Sequence, residues 1–277
     1  MTSPARVFAI LDLFCEERPI WHADDINEAL GYSRATGYRY VKDLVDAGFL
    51  QKVSAGHYSL GARIIQLDYQ LRRSDPVLLA AVPVMNELAR KSTLDAVLTT
   101  MFGTKVIDTY RASSDPTLEL NYGRGRPRPL FLGAAPKVIL SCMARPQLVR
   151  IYEADMTKAA DCGLGKSWAE FRDHLSQIRK QGFYLSDGEL DRGIAGAAVP
   201  ICNADGEAAA ALTLVGSAEA VEKIGEVRLR RLLNRAREDI QAKLADDFQS
   251  SGARTAMGGT VSERGALDLT AHQESGQ

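Results

Sequence analysis

The chain has 277 residues, 45% hydrophobic and 25% charged, with a formal net charge of −1; that length suits two globular domains. So even a balance excludes a protein that coats nucleic acid by bulk charge, though not a reader whose basic residues gather on one helix. Cys15, Cys142, Cys162 and Cys202 form no C-x-x-C pair, which speaks for buried or free thiols in a reducing cytoplasm and against a disulfide framework or zinc knuckle.

MTSPARVF lacks the apolar core of a signal peptide, and the longest apolar stretch, residues 138–143, is too short to span a bilayer. Ser3 caps and Pro4 starts a first predicted helix to about residue 17, with Val7, Ile10, Leu11 and Phe14 on one face. Ile20 and Trp21 read as buried connectors. A second helix is expected over 23–30, with Asp24 and Asp25 in its first turn and Gly31 ending it. Only Gly31 and Tyr32 separate it from the stretch SRATGYRYVKDLVDA, residues 33–47. Ser33 is a good N-cap, Gly48 can take the left-handed C-terminal position, and Val41, Leu44 and Val45 fall at helical spacing. Ser33, Arg34, Thr36, Tyr38, Arg39 and Lys42 crowd the front of this helix. Such a polar and basic front suits insertion into the DNA major groove, with arginine on base edges and hydroxyls on phosphates. Helix, short glycine-bearing turn and helix make the helix-turn-helix layout. FLQKV-SAG-HYSLG then reads as a β-hairpin, or wing.

Residues 62–73 form a helix whose apolar Ile64, Ile65, Leu67 and Leu71 need a partner outside their own short module. Pro76 begins the next helix, to about residue 91, carrying Leu79, Val82, Met85 and Leu88; a domain boundary is expected near residue 74. LDAVLTTMF and KVIDTYRA form a hairpin about Gly103-Thr104, TLELNY is a candidate strand, and GRGRPRP reads as a loop. Helices are expected over 134–143, 146–153 and from Ser167 to about 181. Strands follow over 182–185, 194–202 and 207–215, the last two joined by NADG. The last helix, 226–248, has Val227, Leu229, Leu232, Leu233, Ile240 and Leu244 as its apolar side. From residue 250 the composition is that of a disordered tail. Antiparallel strands with helices give an α+β, sensor-like second domain.

At this point the chain resembles the IclR family of bacterial transcription regulators, over about residues 4–248. The first part is similar in RVFAILDLF, INEALGYSRATGYRYVKDLVDAGFL and HYSLGARIIQL. The second is similar in GFYLSDGELDRGIAGAAVPICNADG, where Gly182, Ser186, Glu189, Gly193, Pro200 and Asn203 match the family pattern. The resemblance implies a winged helix-turn-helix DNA-binding domain (1–61), a linker helix (62–74), a GAF-like effector-binding domain with an antiparallel sheet (75–249) and a disordered tail (250–277). It implies a homodimer or tetramer on a roughly palindromic double-stranded operator, repressor or activator, modulated by a small organic-acid or aromatic effector. Gly37, Pro136, Gly196 and Ala197 depart from the pattern. Gly37 implies either a close backbone approach or a front end that firms up on DNA.

By matching to the family's pocket, Ala134, Ala135, Ser186, Ile194, Gly196, Thr213 and Val215 are candidate effector contacts. Glu189 is either a ligand or a structural acceptor. Arg124, Arg126 and Arg128 either clamp a carboxylate or face solvent or a neighbouring subunit. His22, His57, His174 and His272 lie apart, and no hydrolase, nucleotide or metal motif stands in a fitting context. No catalytic residue, metal or cofactor is expected. The alternative, an enzyme or small-molecule sensor whose winged helix docks protein, needs a convergent nucleophile and base that the sequence does not offer.

Overall fold

The computed structural model describes residues 3–203 and 206–257, and the chain divides between Asp75 and Pro76 into two compact units. In the first unit α1 (Ser3–Phe8) gives way to a 3-10 turn at Leu11–Leu13, so the first helix is shorter than expected. The backbone tightens there: Leu13 N–H donates to Ile10 O and Phe14 N–H to Leu11 O, both at 3.3 Å. Three residues per turn stack Leu13 on Ile10 and Phe14 on Leu11. All four thereby reach one core with Ile26, Tyr40, Val41, Leu44 and Leu50.

His22 ends β1 (Trp21–His22) and caps α2 (Ala23–Leu30), its Nδ1 accepting the Asp24 N–H at 3.2 Å. Ile20, just before the strand, is 44% exposed rather than buried, while Trp21 is half-buried. After Gly31, at φ 64°, α3 (Arg34–Asp46) starts from Ser33, whose Oγ accepts the Thr36 N–H at 3.4 Å. It ends in a Schellman motif: Phe49 N–H donates to Leu44 O and Gly48 N–H to Val45 O, both at 2.9 Å, with Gly48 at φ 76°. The hairpin β2 (Leu50–Ser54) and β3 (His57–Leu60) takes β1 as a third strand, in the order β1-β3-β2. Helix α4 (Arg63–Ser74) buries none of its residues.

The second unit is built on one six-stranded antiparallel sheet, β6-β5-β4-β9-β8-β7. Its strands are β4 (Asp95–Phe102), β5 (Lys105–Ala112), β6 (Pro127–Arg128), β7 (Tyr184–Asp187), β8 (Ile194–Cys202) and β9 (Ala208–Ser217). On one face α5 (Pro76–Ser92), α10 (Ala218–Ile224) and α11 (Glu226–Met257) cover Ala96, Leu98, Ala197, Val199, Leu212 and Leu214. On the other, α6 (Ala134–Ser141), α7 (Arg145–Ala154), α8 (Met156–Asp161) and α9 (Trp168–Gln181) enclose Ala198 and Ala211 with Phe171, Leu175 and Ile178. Successive side chains point to opposite faces, so each of the central strands serves both cores.

Several expectations change. Leu79 is 51% exposed; the inward stripe of α5 starts one residue earlier, at Leu78, Ala81, Met85 and Leu88. Val227 is 86% exposed in the first turn of α11, on the side away from Leu229 and Leu233. TLELNY is no strand: its alternation has no neighbour to pair with, and the sheet edge is taken instead by Pro127–Arg128 of the arginine-rich loop, paired with Ile107 and Val106. Strand β7 begins two residues late because Gly182, at φ 59°, closes α9. Helices α8 and α10 were not foreseen. Helix α11 runs to Met257, past residue 250 where the tail was expected to start; residues 258–277 lie outside the described residues. Among the described residues no helix is long and apolar enough to cross a membrane.

Candidate functional site

A cavity opens over the sheet face that carries α6. Register explains its floor: Val97 pairs with Thr213, Gly196 pairs with both Ser186 and Val215, and Ile194 lies two residues before Gly196 on the same face. Gly133, Ala134 and Ala135 at the start of α6 form one wall, and Leu120, Tyr122, Leu190 and Asp191 come from two loops above. Its enclosed free volume is about 40 Å³, small beside the roughly 300–1,000 Å³ of a ligand-filled site. Gly196 keeps the floor open; a Cβ there would stand 3.5 Å from Thr213 Cγ2 and 3.7 Å from Ser186 Oγ.

The polar groups fall into two sets. Asp108, buried on β5, accepts from Thr99 Oγ1 at 2.7 Å and from Arg128 at 3.0 Å. Arg128 still has its Nε buried without a partner, and so does the Thr213 hydroxyl, on a residue only 5% exposed. Ser186 instead donates to Gly196 O at 3.2 Å. Helix α6 has no side-chain cap, and the amides of Ala134 and Ala135, in its first turn, have no intrahelical acceptor. Buried donors left unpaired cost about 1–3 kcal/mol each, a cost that a bound acceptor would offset.

Seven of the eight expected effector contacts, Ala134, Ala135, Ser186, Ile194, Gly196, Thr213 and Val215, line this cavity. Glu189 does not. It accepts the Gly133 N–H at 2.9 Å, Lys137 Nζ at 2.6 Å and the Tyr184 hydroxyl at 2.9 Å, so it ties its loop to the start of α6. Lys137, with a side chain 4% exposed, went unnoticed in AAPKVIL, where only its neighbour's substitution stood out. Burial raises the Tyr184 phenol above its ordinary pKa against the pull of Lys137. Of the three loop arginines only Arg128 reaches the cavity. Arg124 donates to Thr109 O, and Arg126 to Asn121 O at 3.0 Å. Asp108, Leu120, Tyr122, Leu190 and Asp191 were also missed; the block GELDRG was the available signal for the last two. Among the described residues no three His, Cys, Asp or Glu gather as for a metal ion.

In the first unit, α3 presents Ser33, Arg34, Tyr38, Arg39 and Lys42 to solvent, with Thr36 half-buried behind them. Asp24 of α2 orients two of these: the Tyr38 hydroxyl donates to it at 3.3 Å and Arg34 Nε lies 3.5 Å away. Behind the helix, buried Gly37 faces Asn27. A Cβ at Gly37 would lie 1.5 Å from Asn27 Oδ1, so close approach of α2 and α3 accounts for this glycine.

A model described as the bacterial transcriptional regulator IclR C-terminal domain matches residues 71–242, and one described as the IclR helix-turn-helix domain matches residues 3–54. The HTH-type transcriptional regulator XynR of Escherichia coli is 25% identical over 236 residues, 84% of this chain and 93% of its own. The HTH-type transcriptional regulator KipR of Bacillus subtilis is 24% identical over 208 residues, 75% and 83% of the two chains. An IclR homolog from Microbacterium hydrocarbonoxydans, solved in complex with 4-hydroxybenzoate, shares the fold with a TM-score of 0.71 at 21% identity, covering 88% of this chain and 100% of that one.

Proposed function

The chain belongs to the IclR family of bacterial transcriptional regulators, and from that premise we propose that it is a cytoplasmic, ligand-responsive reader of double-stranded DNA. Helix α3 enters the major groove with Arg34 and Arg39 foremost, Ser33, Thr36, Tyr38 and Lys42 contacting bases or phosphates. One such module covers a half-site, and α4 leaves Ile64, Ile65, Leu67 and Leu71 between 37% and 73% exposed. A second copy that buries this stripe pairs two recognition helices on a roughly palindromic operator, as a dimer or a pair of dimers. We assign no catalysis to the chain.

The observation that carries the effector reading is the pair of buried, unpartnered donors in one cavity, Thr213 Oγ1 and Arg128 Nε. Together with the first amides of α6 they suit an acceptor such as a carboxylate or phenolic oxygen, while Val97, Leu120, Ile194 and Val215 suit an apolar body. Because Asp108 already pairs with Arg128, the ligand is held by one edge of the guanidinium, not by an arginine clamp. A small organic or hydroxyaromatic acid fits this chemistry, in line with the 4-hydroxybenzoate of the solved homolog. Regulation needs the ligand to favour one arrangement of the DNA-reading units over another; a coupling of about 1–3 kcal/mol is typical. Calorimetry of the full chain against small organic acids and hydroxybenzoates tests this, using DNA recovered by selection from random duplexes. A binder whose affinity survives both Thr213→Val and Arg128→Met would refute the placement. A chain that retains no DNA sequence would refute the reader.

A further inference from the structure

Two loops meet over the mouth of the cavity, and they are held very differently. Loop 188–193 is pinned along its length. Gly188 N–H donates to Ile194 O at 3.0 Å and Ile194 N–H to Asp191 O at 3.1 Å, while Glu189 ties the loop to Gly133, Lys137 and Tyr184. Segment 119–122 is anchored just outside its two ends, where Arg111 Nη2 donates to Leu118 O at 2.7 Å and Gly125 N–H to Asp108 O at 3.1 Å. Between these anchors exposure alternates: Leu120 and Tyr122 are half-buried and line the cavity, and Asn121 is exposed between them. Asn121 Nδ2 donates across the mouth to Asp191 Oδ1, 70 residues further along the chain.

With the loops in contact, the enclosed space is about 40 Å³, against the roughly 300–1,000 Å³ of a ligand-filled site. A small acid cannot be enclosed until one loop moves, and the pinned loop is the harder to move. We propose that residues 119–122 are a flap that seals the cavity, with Asn121–Asp191 as its releasable catch and loop 188–193 as the fixed rim. Leu120 and Tyr122 share the inner side, so they lift together and add room above the apolar floor. Lifting also uncovers Arg128, whose guanidinium lies 5.9 Å from the centre of the Tyr122 ring. The flap rests on the geometry of the mouth; that an effector passes beneath it rests on the reading proposed above.

The test puts a thiol on the cavity floor, Ser186→Cys, in the full-length chain. Its alkylation by iodoacetamide is followed by peptide mass mapping, with exposed Cys15 as the open reference in the same sample. Ser186 is 8% exposed, so the floor thiol should react far more slowly than Cys15. Removing the catch by Asn121→Ala or Asp191→Ala should raise the floor rate about threefold to tenfold, the equilibrium value of one hydrogen bond, with the melting temperature unchanged. The two changes together should add little, since both break one contact. Asn121→Asp, which sets like charges face to face, should open the flap at least as far. A floor thiol as reactive as Cys15 while the catch is intact, or one indifferent to every catch variant, overturns the proposal. No ligand enters this readout, so the flap and the effector reading fail separately.

Discussion

Replacing Gly37 by alanine sets helix propensity against packing in a way that can be worked out beforehand. A glycine inside a helix costs roughly 1 kcal/mol relative to alanine, so propensity alone predicts a stabilised α3. The added methyl, however, would lie 1.5 Å from Asn27 Oδ1 and 2.6 Å from Cγ. Asn27 is 7% exposed, and neither polar atom of its amide has a partner. Turning the amide aside forfeits no hydrogen bond, but it has to push into a packed core, and overpacking costs about 1–3 kcal/mol. The expected net result is a loss of about 0–2 kcal/mol. Asn27→Ala in the same chain removes the obstruction and two unsatisfied polar atoms while the new methyl occupies part of the space. The double variant should therefore be at least as stable as the parent, with a coupling energy above about 1 kcal/mol. Urea unfolding followed by Trp21 fluorescence in a Trp168→Phe background isolates the first unit, since each unit holds one tryptophan. If Gly37→Ala alone stabilises by about 1 kcal/mol, or if the double variant is no better than the single, the close-approach account of Gly37 is wrong.

Glu189→Ala should leave the Lys137 ammonium buried and unpaired at a cost of about 3–5 kcal/mol, and Lys137→Met in the same chain should recover most of it in thermal melts. Gly196→Ala adds a methyl at ordinary contact distances; stability should move by less than about 0.5 kcal/mol, while calorimetry shows effector affinity reduced as the cavity floor fills. Leu67→Glu on α4 should shift the sedimenting species toward monomer and weaken operator binding with it; an unchanged oligomer would remove α4 from the interface. The raised Tyr184 phenol keeps its proton longer in the folded than in the unfolded chain. Its contribution is thus complete below the ordinary value of about 10 and is lost as pH rises toward the folded value. Between pH 9 and 11 the parent should lose more stability than Tyr184→Phe in urea titrations.

The helix-turn-helix was legible because each boundary is fixed locally: Gly31 and Gly48 take left-handed angles and Ser33 caps α3 with its own hydroxyl. The cavity floor was legible only through the family resemblance, which named Ser186, Ile194, Gly196, Thr213 and Val215; the register of β7, β8 and β9 then shows why alternation puts them on one face. Lys137 was not, because a lysine in an apolar helix reads as a solvated exception until Glu189, 52 residues away, supplies its charge. Arg128 looked equivalent to Arg124 and Arg126; only pairing at the sheet edge singles it out. The break in the first helix was hidden because Ile10, Leu11 and Phe14 fit both α and 3-10 spacing. Val227 and Leu79 were misplaced for a related reason: a periodic pattern gives an angular stripe but not where, at a helix end, burial begins.

The alternation along β8 and β9 also bears on how such a regulator can diverge. Gly196, Thr213 and Val215 point into the cavity, while their chain neighbours Ala197, Leu212 and Leu214 belong to the opposite core. A substitution at a floor position therefore reshapes the cavity, and on the proposed reading what it recognises, without repacking the layer that holds α5 and α11 to the sheet. Recognition and foldability vary along separate sets of codons, so a lineage, or an experimenter building a metabolite sensor, can change one while holding the other nearly constant.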